Sequence, residues 1–141
     1  DRLDAEAVAA AFHPGAILQK YGPEPMVIED FVEYALPSLR KRFVATQHRV
    51  SNIRVEIDGD HALVESYVLA FHVEDTDGEK KLHTFNGRYI DQFERKNDFW
   101  RIQKRQLRND WSKVESISEE MSGSAVWEKS ARDSSDPIYT Q

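Results

Sequence analysis

Apolar and polar positions along this chain change rhythm twice. From Asp4 to Phe12 (DAEAVAAAF) the segment is alanine-rich, with Val8 and Phe12 at helical spacing. This predicts a short helix ended by His13-Pro14-Gly15. Ala16 to Tyr21 reads as a short strand, and Gly22-Pro23-Glu24-Pro25 as a turn. From Met26 to Phe43, the residues Ile28, Phe31, Ala35, Leu39 and Phe43 recur every three or four positions, the stripe of an amphipathic helix. Pro37 falls inside that stripe. With no amide hydrogen to donate, it must kink the helix or start a second one.

After Phe43 the period shortens. Thr46–Ile57, Ala62–Glu74, Lys81–Arg95 and Trp100–Trp111 are rich in β-branched and aromatic residues. They are separated by Asp58-Gly59-Asp60, Asp75-Thr76-Asp77-Gly78 and Lys96-Asn97-Asp98, connections suited to consecutive antiparallel hairpins. If the second hairpin turns around Thr76-Asp77-Gly78, His72 faces His83 and Glu74 faces Lys81, a favourable cross-strand charge pair. Helices first and a long-stranded meander afterwards predict an α+β fold, a helical layer on a curved antiparallel sheet. The whole of 1–141 is expected to form one domain. Residues 112–141, rich in Ser, Asp and Glu, are expected to be an extended or partly disordered tail.

The length of 141 residues suits one domain with a real core. There is no cysteine, which removes disulfides, thiolate metal sites and cysteine nucleophiles, and fits a reducing, cytoplasmic setting. No apolar run reaches the ~18 residues of a membrane span. A net charge of −6 argues against nucleic acid as a partner. The basic cluster Arg40-Lys41-Arg42 sits at a predicted helix end, where cations offset the dipole. No glycine-rich phosphate cradle occurs, so no nucleotide cofactor is expected.

Histidine carries the candidate chemistry, because its pKa lies nearest neutrality. His13, before a proline in a turn, reads as a capping or surface residue, and His61 as solvated. His72 and His83 face each other but lack an assured third ligand, so they read as surface imidazoles and no metal is expected. His48 lies near the start of the first long strand, where it would stand at the mouth of any cavity between helices and sheet. By residue type alone, a satisfied structural histidine is the simpler reading.

Several segments, in order, are similar to one known family. They are Asp1, Phe12-His13-Pro14-Gly15-Ala16, Thr46-Gln47-His48 and Asn52-Ile53-Arg54-Val55-Glu56-Ile57. Gly87-Arg88-Tyr89-Ile90-Asp91-Gln92-Phe93-Glu94-Arg95, Trp100-Arg101-Ile102 and Arg132-Asp133-Ser134-Ser135-Asp136-Pro137 continue the pattern. The chain resembles the SnoaL-like branch of the nuclear transport factor 2-like superfamily over nearly its full length. The resemblance implies a cone, a bent sheet wrapped around helices and enclosing a mostly apolar pocket. It also implies cofactor-free elimination by an Asp–His dyad, as in the dehydrochlorinases and dehydratases of that branch. The dyad falls on Asp1 and His48, and a pocket arginine falls on Arg105. A preceding helix of the family has no counterpart here, so a segment before Asp1 is expected.

Together these readings predict a lyase or isomerase acting on a small hydrophobic, cyclic molecule, with Tyr21, Phe43, Tyr67 and Phe85 as pocket walls. The other reading is a ligand-binding or oligomerisation module of the same fold without chemistry. Apolar residues on both parities of Ala62–Val73 predict a covered outer face and a homo-oligomer, trimer or dimer.

Overall fold

Residues 1–139 are described by a computed structural model of the chain. Asp4 opens the first helix, α1 (Ala5–Ala10), its carboxylate accepting from the Ala7 amide at 3.0 Å. The strand β1 (Phe12–Gln19) follows at once, earlier than expected from His13-Pro14-Gly15. Those three residues form a bulge instead of a connection. Gly15 takes a φ of 73°, and the pairing of β1 with the last strand shifts between Phe12 and Ile17. His13 is therefore buried, not on the surface, and its Nε2 lies 2.8 Å from the Glu94 carbonyl.

After the two-residue strand β2 (Met26–Val27), the predicted amphipathic helix forms in three pieces. These are α2 (Ile28–Asp30), a π-helical turn (Phe31–Ala35) and α3 (Leu36–Arg42). Pro37 sits in the first turn of α3, where a missing amide is harmless. The widened turn before it, with the Leu36 amide bonded to the Phe31 carbonyl, makes room for the proline ring. Proline thus both breaks the helix and starts its second part.

Four long strands complete the chain: β3 (Phe43–Asp58), β4 (His61–Thr76), β5 (Glu79–Lys96) and β6 (Phe99–Ser116). The β4–β5 turn is Asp77-Gly78, both with positive φ, as a tight hairpin of this twist requires. His72 consequently pairs with His83 and Glu74 with Lys81, the predicted register. The Glu74 carboxylate, however, contacts His83 at 2.7 Å and Arg42 at 3.2 Å. β6 continues through Ser116, into the stretch expected to be tail.

The sheet has six strands in the order β2-β1-β6-β5-β4-β3, antiparallel except where β1 runs parallel to β6. This is the curved, unclosed α+β cone of the nuclear transport factor 2-like fold. The helices pack at the β1–β6 end, where Phe12, Ala16, Leu18, Ile28 and Ile102 form the buried core. β3 is the opposite edge, and only Phe43 along it is buried. Among the described residues, no helix is long and apolar enough to cross a membrane.

Candidate active site

Strand alternation decides what faces the hollow between helices and sheet. His48 pairs with Ala70 and Thr46 with His72, so Val68, Ala70 and His72 share the concave face with His48. Their neighbours Tyr67, Leu69 and Phe71 point the other way. The small Ala70 side chain leaves space, and a cavity of about 910 Å³ opens over it, within the range of ordinary ligand sites.

Asp1, His48, Arg105, Tyr21, Phe43 and Phe85 all line this cavity. Tyr67 does not. It lies on the convex face, 40% exposed, with the Arg88 guanidinium over its ring at 5.9 Å. Period-two alternation forces this once Val68 and Ala70 face inward. The expectation of Tyr67 as a pocket wall is thus corrected.

At one end of the cavity the Asp1 carboxylate meets His48 twice. Oδ2 accepts the His48 backbone amide at 2.9 Å, and Oδ1 lies 2.6 Å from Nδ1. An ionised carboxylate can only accept, so Nδ1 carries the proton when the ring is neutral. The basic lone pair is then on Nε2, at the other edge of the ring. Thr46 Oγ1 donates to the Asp1 carbonyl at 3.0 Å and fixes the same residue from its main chain. Both side chains keep about a third of their surface, 33% for His48 and 37% for Asp1. The His48 pKa is lowered, by loss of hydration first and then by the positive charge of Arg105.

His72 completes this end. It is half-buried, lines the cavity and stands edge-on to His48 with ring centroids 5.1 Å apart. Loss of hydration, then repulsion by His48, His83 and Arg42, lowers its pKa to about 4. The expectation of a surface imidazole is thus corrected. The β4–β5 register combined with inward-facing Ala70 was a usable signal, since residues two apart share a face. Among the described residues, no group of three His, Cys, Asp or Glu side chains could hold a metal.

The other end is built on β5 and β6. Arg105 is clamped to Asp91 in a bidentate pair, Nε to Oδ1 at 2.7 Å and Nη2 to Oδ2 at 2.6 Å. Asp91 is 3% exposed, and the guanidinium lies 4.0 Å from the centre of the Tyr89 ring. Tyr21 and Tyr89 line the same region, and burial raises both phenol pKa values, so both remain hydroxyl donors. Asp91 and Tyr89 were not anticipated as site residues. Arg105 is not a solvated residue of the sheet edge, because its side chain is largely enclosed.

The arrangement pairs a histidine of fixed tautomer with a mostly apolar hollow and a preset guanidinium. Such a site can take a proton from carbon at one end and meet developing negative charge at the other.

Among solved structures, a scytalone dehydratase-like protein from Novosphingobium aromaticivorans aligns over 80% of this chain and 75% of its own, with 24% identity and a TM-score of 0.69. A hexachlorocyclohexane dehydrochlorinase, LinA-type3 from Novosphingobium barchaimii LL02, aligns over 85% and 81%, with 17% identity and a TM-score of 0.66. A variant of a Mycobacterium tuberculosis protein of unknown function aligns over 77% and 61%, with 25% identity and a TM-score of 0.63. No curated protein matches the chain. The sequence profile of the SnoaL-like domain matches residues 1–106, well over half of the chain. The protein therefore belongs to the SnoaL-like domain family, within the nuclear transport factor 2-like superfamily.

Proposed function

We propose that the protein is a cofactor-independent lyase or isomerase acting on a small hydrophobic, cyclic molecule, with His48 as the base. The observation that carries this reading is the 2.6 Å contact between Asp1 Oδ1 and His48 Nδ1 at the wall of an apolar cavity. Nε2 takes a proton from carbon, and the C–H bonding pair becomes a new C=C bond. In an elimination the leaving group departs with its own bonding pair; if that group is hydroxide, the imidazolium returns the proton and water forms. In an isomerisation the proton returns at a second carbon. Asp1 stabilises the imidazolium while it exists. Arg105 stabilises charge on the leaving group or oxyanion, its direction set by Asp91 and Tyr89. Tyr21, Phe43 and Phe85 shape the apolar walls.

The convex face supports self-association, as a homotrimer or homodimer. Tyr67, Leu63 and Trp111 are exposed on that face, and the edge strand separately leaves Ile53, Val55 and Ile57 exposed.

The test combines a thermal-shift screen of hydrophobic cyclic molecules with turnover of those that bind. His48→Ala should lower turnover by about 10²–10⁴-fold while binding persists. Full turnover in that variant would remove His48 as the base. Binding with no turnover in the wild type would favour a ligand-binding module instead.

A further inference from the structure

The segment that carries Asp1 has little structure of its own. Residues 1–4 belong to no helix or strand, and Leu3 adopts a φ of 54°, a left-handed backbone that a leucine holds only when its surroundings impose it. Those surroundings are distant in sequence, because Arg40 bonds the Leu3 carbonyl across 37 residues and Asp136 bonds Arg2 across 134.

Three arginines make the connection. The Arg2 guanidinium donates to Asp136 Oδ1 at 3.1 Å, and its Cζ sits 5.5 Å from the centre of the Tyr139 ring. Arg40, on α3, donates from Nη2 to the carbonyls of Arg2 at 2.8 Å, Leu3 at 3.2 Å and Arg132 at 3.1 Å. Arg132 donates in return to the Arg40 carbonyl at 3.4 Å. The Asp136 carboxylate is buried and is itself fixed by the Ile138 amide at 3.2 Å, inside the 3-10 turn Pro137–Tyr139. Tyr139 also lines the cavity that His48 and Asp1 line. The matched family region ends at residue 106, so all of these tail residues lie beyond it.

We infer that residues 132–139 complete the candidate site: Asp136, through Arg2, and Arg132, through Arg40, are positioning residues that hold the Asp1 carboxylate against His48, and Tyr139 supplies one wall of the cavity. The physical reason is leverage. A carboxylate on an irregular segment beside an exposed edge strand keeps its direction only if the main chain that carries it is held. Thr46 holds the Asp1 carbonyl from the sheet. Arg2 and Arg40 hold the following residues from the tail and the helix. The inference rests on the reading of Asp1 and His48 as the reactive pair.

The test reads the His48 ring directly, by nitrogen-resolved NMR at neutral pH in the full-length chain, and needs no substrate. In the wild type the neutral ring should be the single Nδ1–H tautomer. Asp136→Asn and Arg2→Gln should each lose that single form and give a mixture of both tautomers, while Asp136→Glu should restore it. His13, whose Nε2 contacts the Glu94 carbonyl at the far end of the sheet, serves as the internal control and should not change. A wild-type His48 signal in both Asp136→Asn and Arg2→Gln would overturn the inference. So would a change at His13 that accompanies the change at His48, because the tail would then act on the fold and not on Asp1. Asp1→Asn separates the two layers of the argument. If it leaves His48 unaltered, the dyad itself fails, whatever the tail does.

Discussion

The two ends of the sheet are built on different terms, and the candidate site spans both. At the β1–β6 end, helices cover the sheet and Leu18 is 2% exposed within a packed cluster. Arg105 and Asp91 sit here, their geometry imposed by surrounding side chains. At the β3 end almost nothing covers the strand, and Ile57 is 67% exposed. His48 sits here, on the sheet edge, and depends on Asp1, Thr46 and the tail for its orientation. Arg105 is thus fixed by packing, and His48 by a few polar contacts. The difference predicts that stability and chemistry respond to different substitutions.

The largest effect should come from breaking the enclosed ion pair. Asp91→Ala leaves the Arg105 guanidinium without its carboxylate and should cost about 3–5 kcal/mol in urea unfolding. Arg54→Ala breaks an ion pair with Glu56 on the open strand and should cost less than about 1 kcal/mol. Equal costs would erase the contrast between the ends. The next effect concerns apolar packing. Leu18→Ala should destabilise by about 2–5 kcal/mol, whereas Ile57→Ala should stay within about 0.5 kcal/mol in the monomer. A large loss at Ile57 would instead mark the edge as covered by another subunit.

The smallest effect is a pH dependence. His72 binds its proton near 6.5 when free but only near about 4 in the folded chain. Between those values the unfolded chain holds more protons, so stability falls as pH drops through that window and rises again with pH. The lowered His48 pKa acts in the same direction. Thermal midpoints at pH 7 and pH 5 should therefore differ, and His72→Gln should narrow the difference. An unchanged difference in that variant would show that His72 takes up its proton freely in the fold.

Much of the architecture is legible in local pattern. The Asp77-Gly78 turn alone sets the whole β4–β5 register, because a tight hairpin leaves no slack. Pro37 marks the helix break for the same local reason. What escapes is set by non-local pairing and by bulges. From the Asn97-Asp98 turn, a regular β5–β6 hairpin would place Lys104 opposite Asp91. The shift between Gln92 and Phe93 moves Arg105 there instead, and with it the guanidinium onto the concave face. The parallel pairing of β1 with β6 joins distant segments that no local signal connects. Tyr67 shows a third kind of miss. Its size suggests a pocket wall, but on β4 the cavity is lined by Ala70 and His72, and Tyr67 lies on the opposite face.

The central claim is that His48 is a neutral base at physiological pH, with its proton on Nδ1 and its lone pair on Nε2. The most direct measurement is the NMR pH titration of the His48 ring in the wild-type protein. The account predicts a midpoint below the ordinary imidazole value of about 6.5 and an Nδ1–H tautomer above it. A ring that is charged at pH 7, or neutral with its proton on Nε2, would contradict the account.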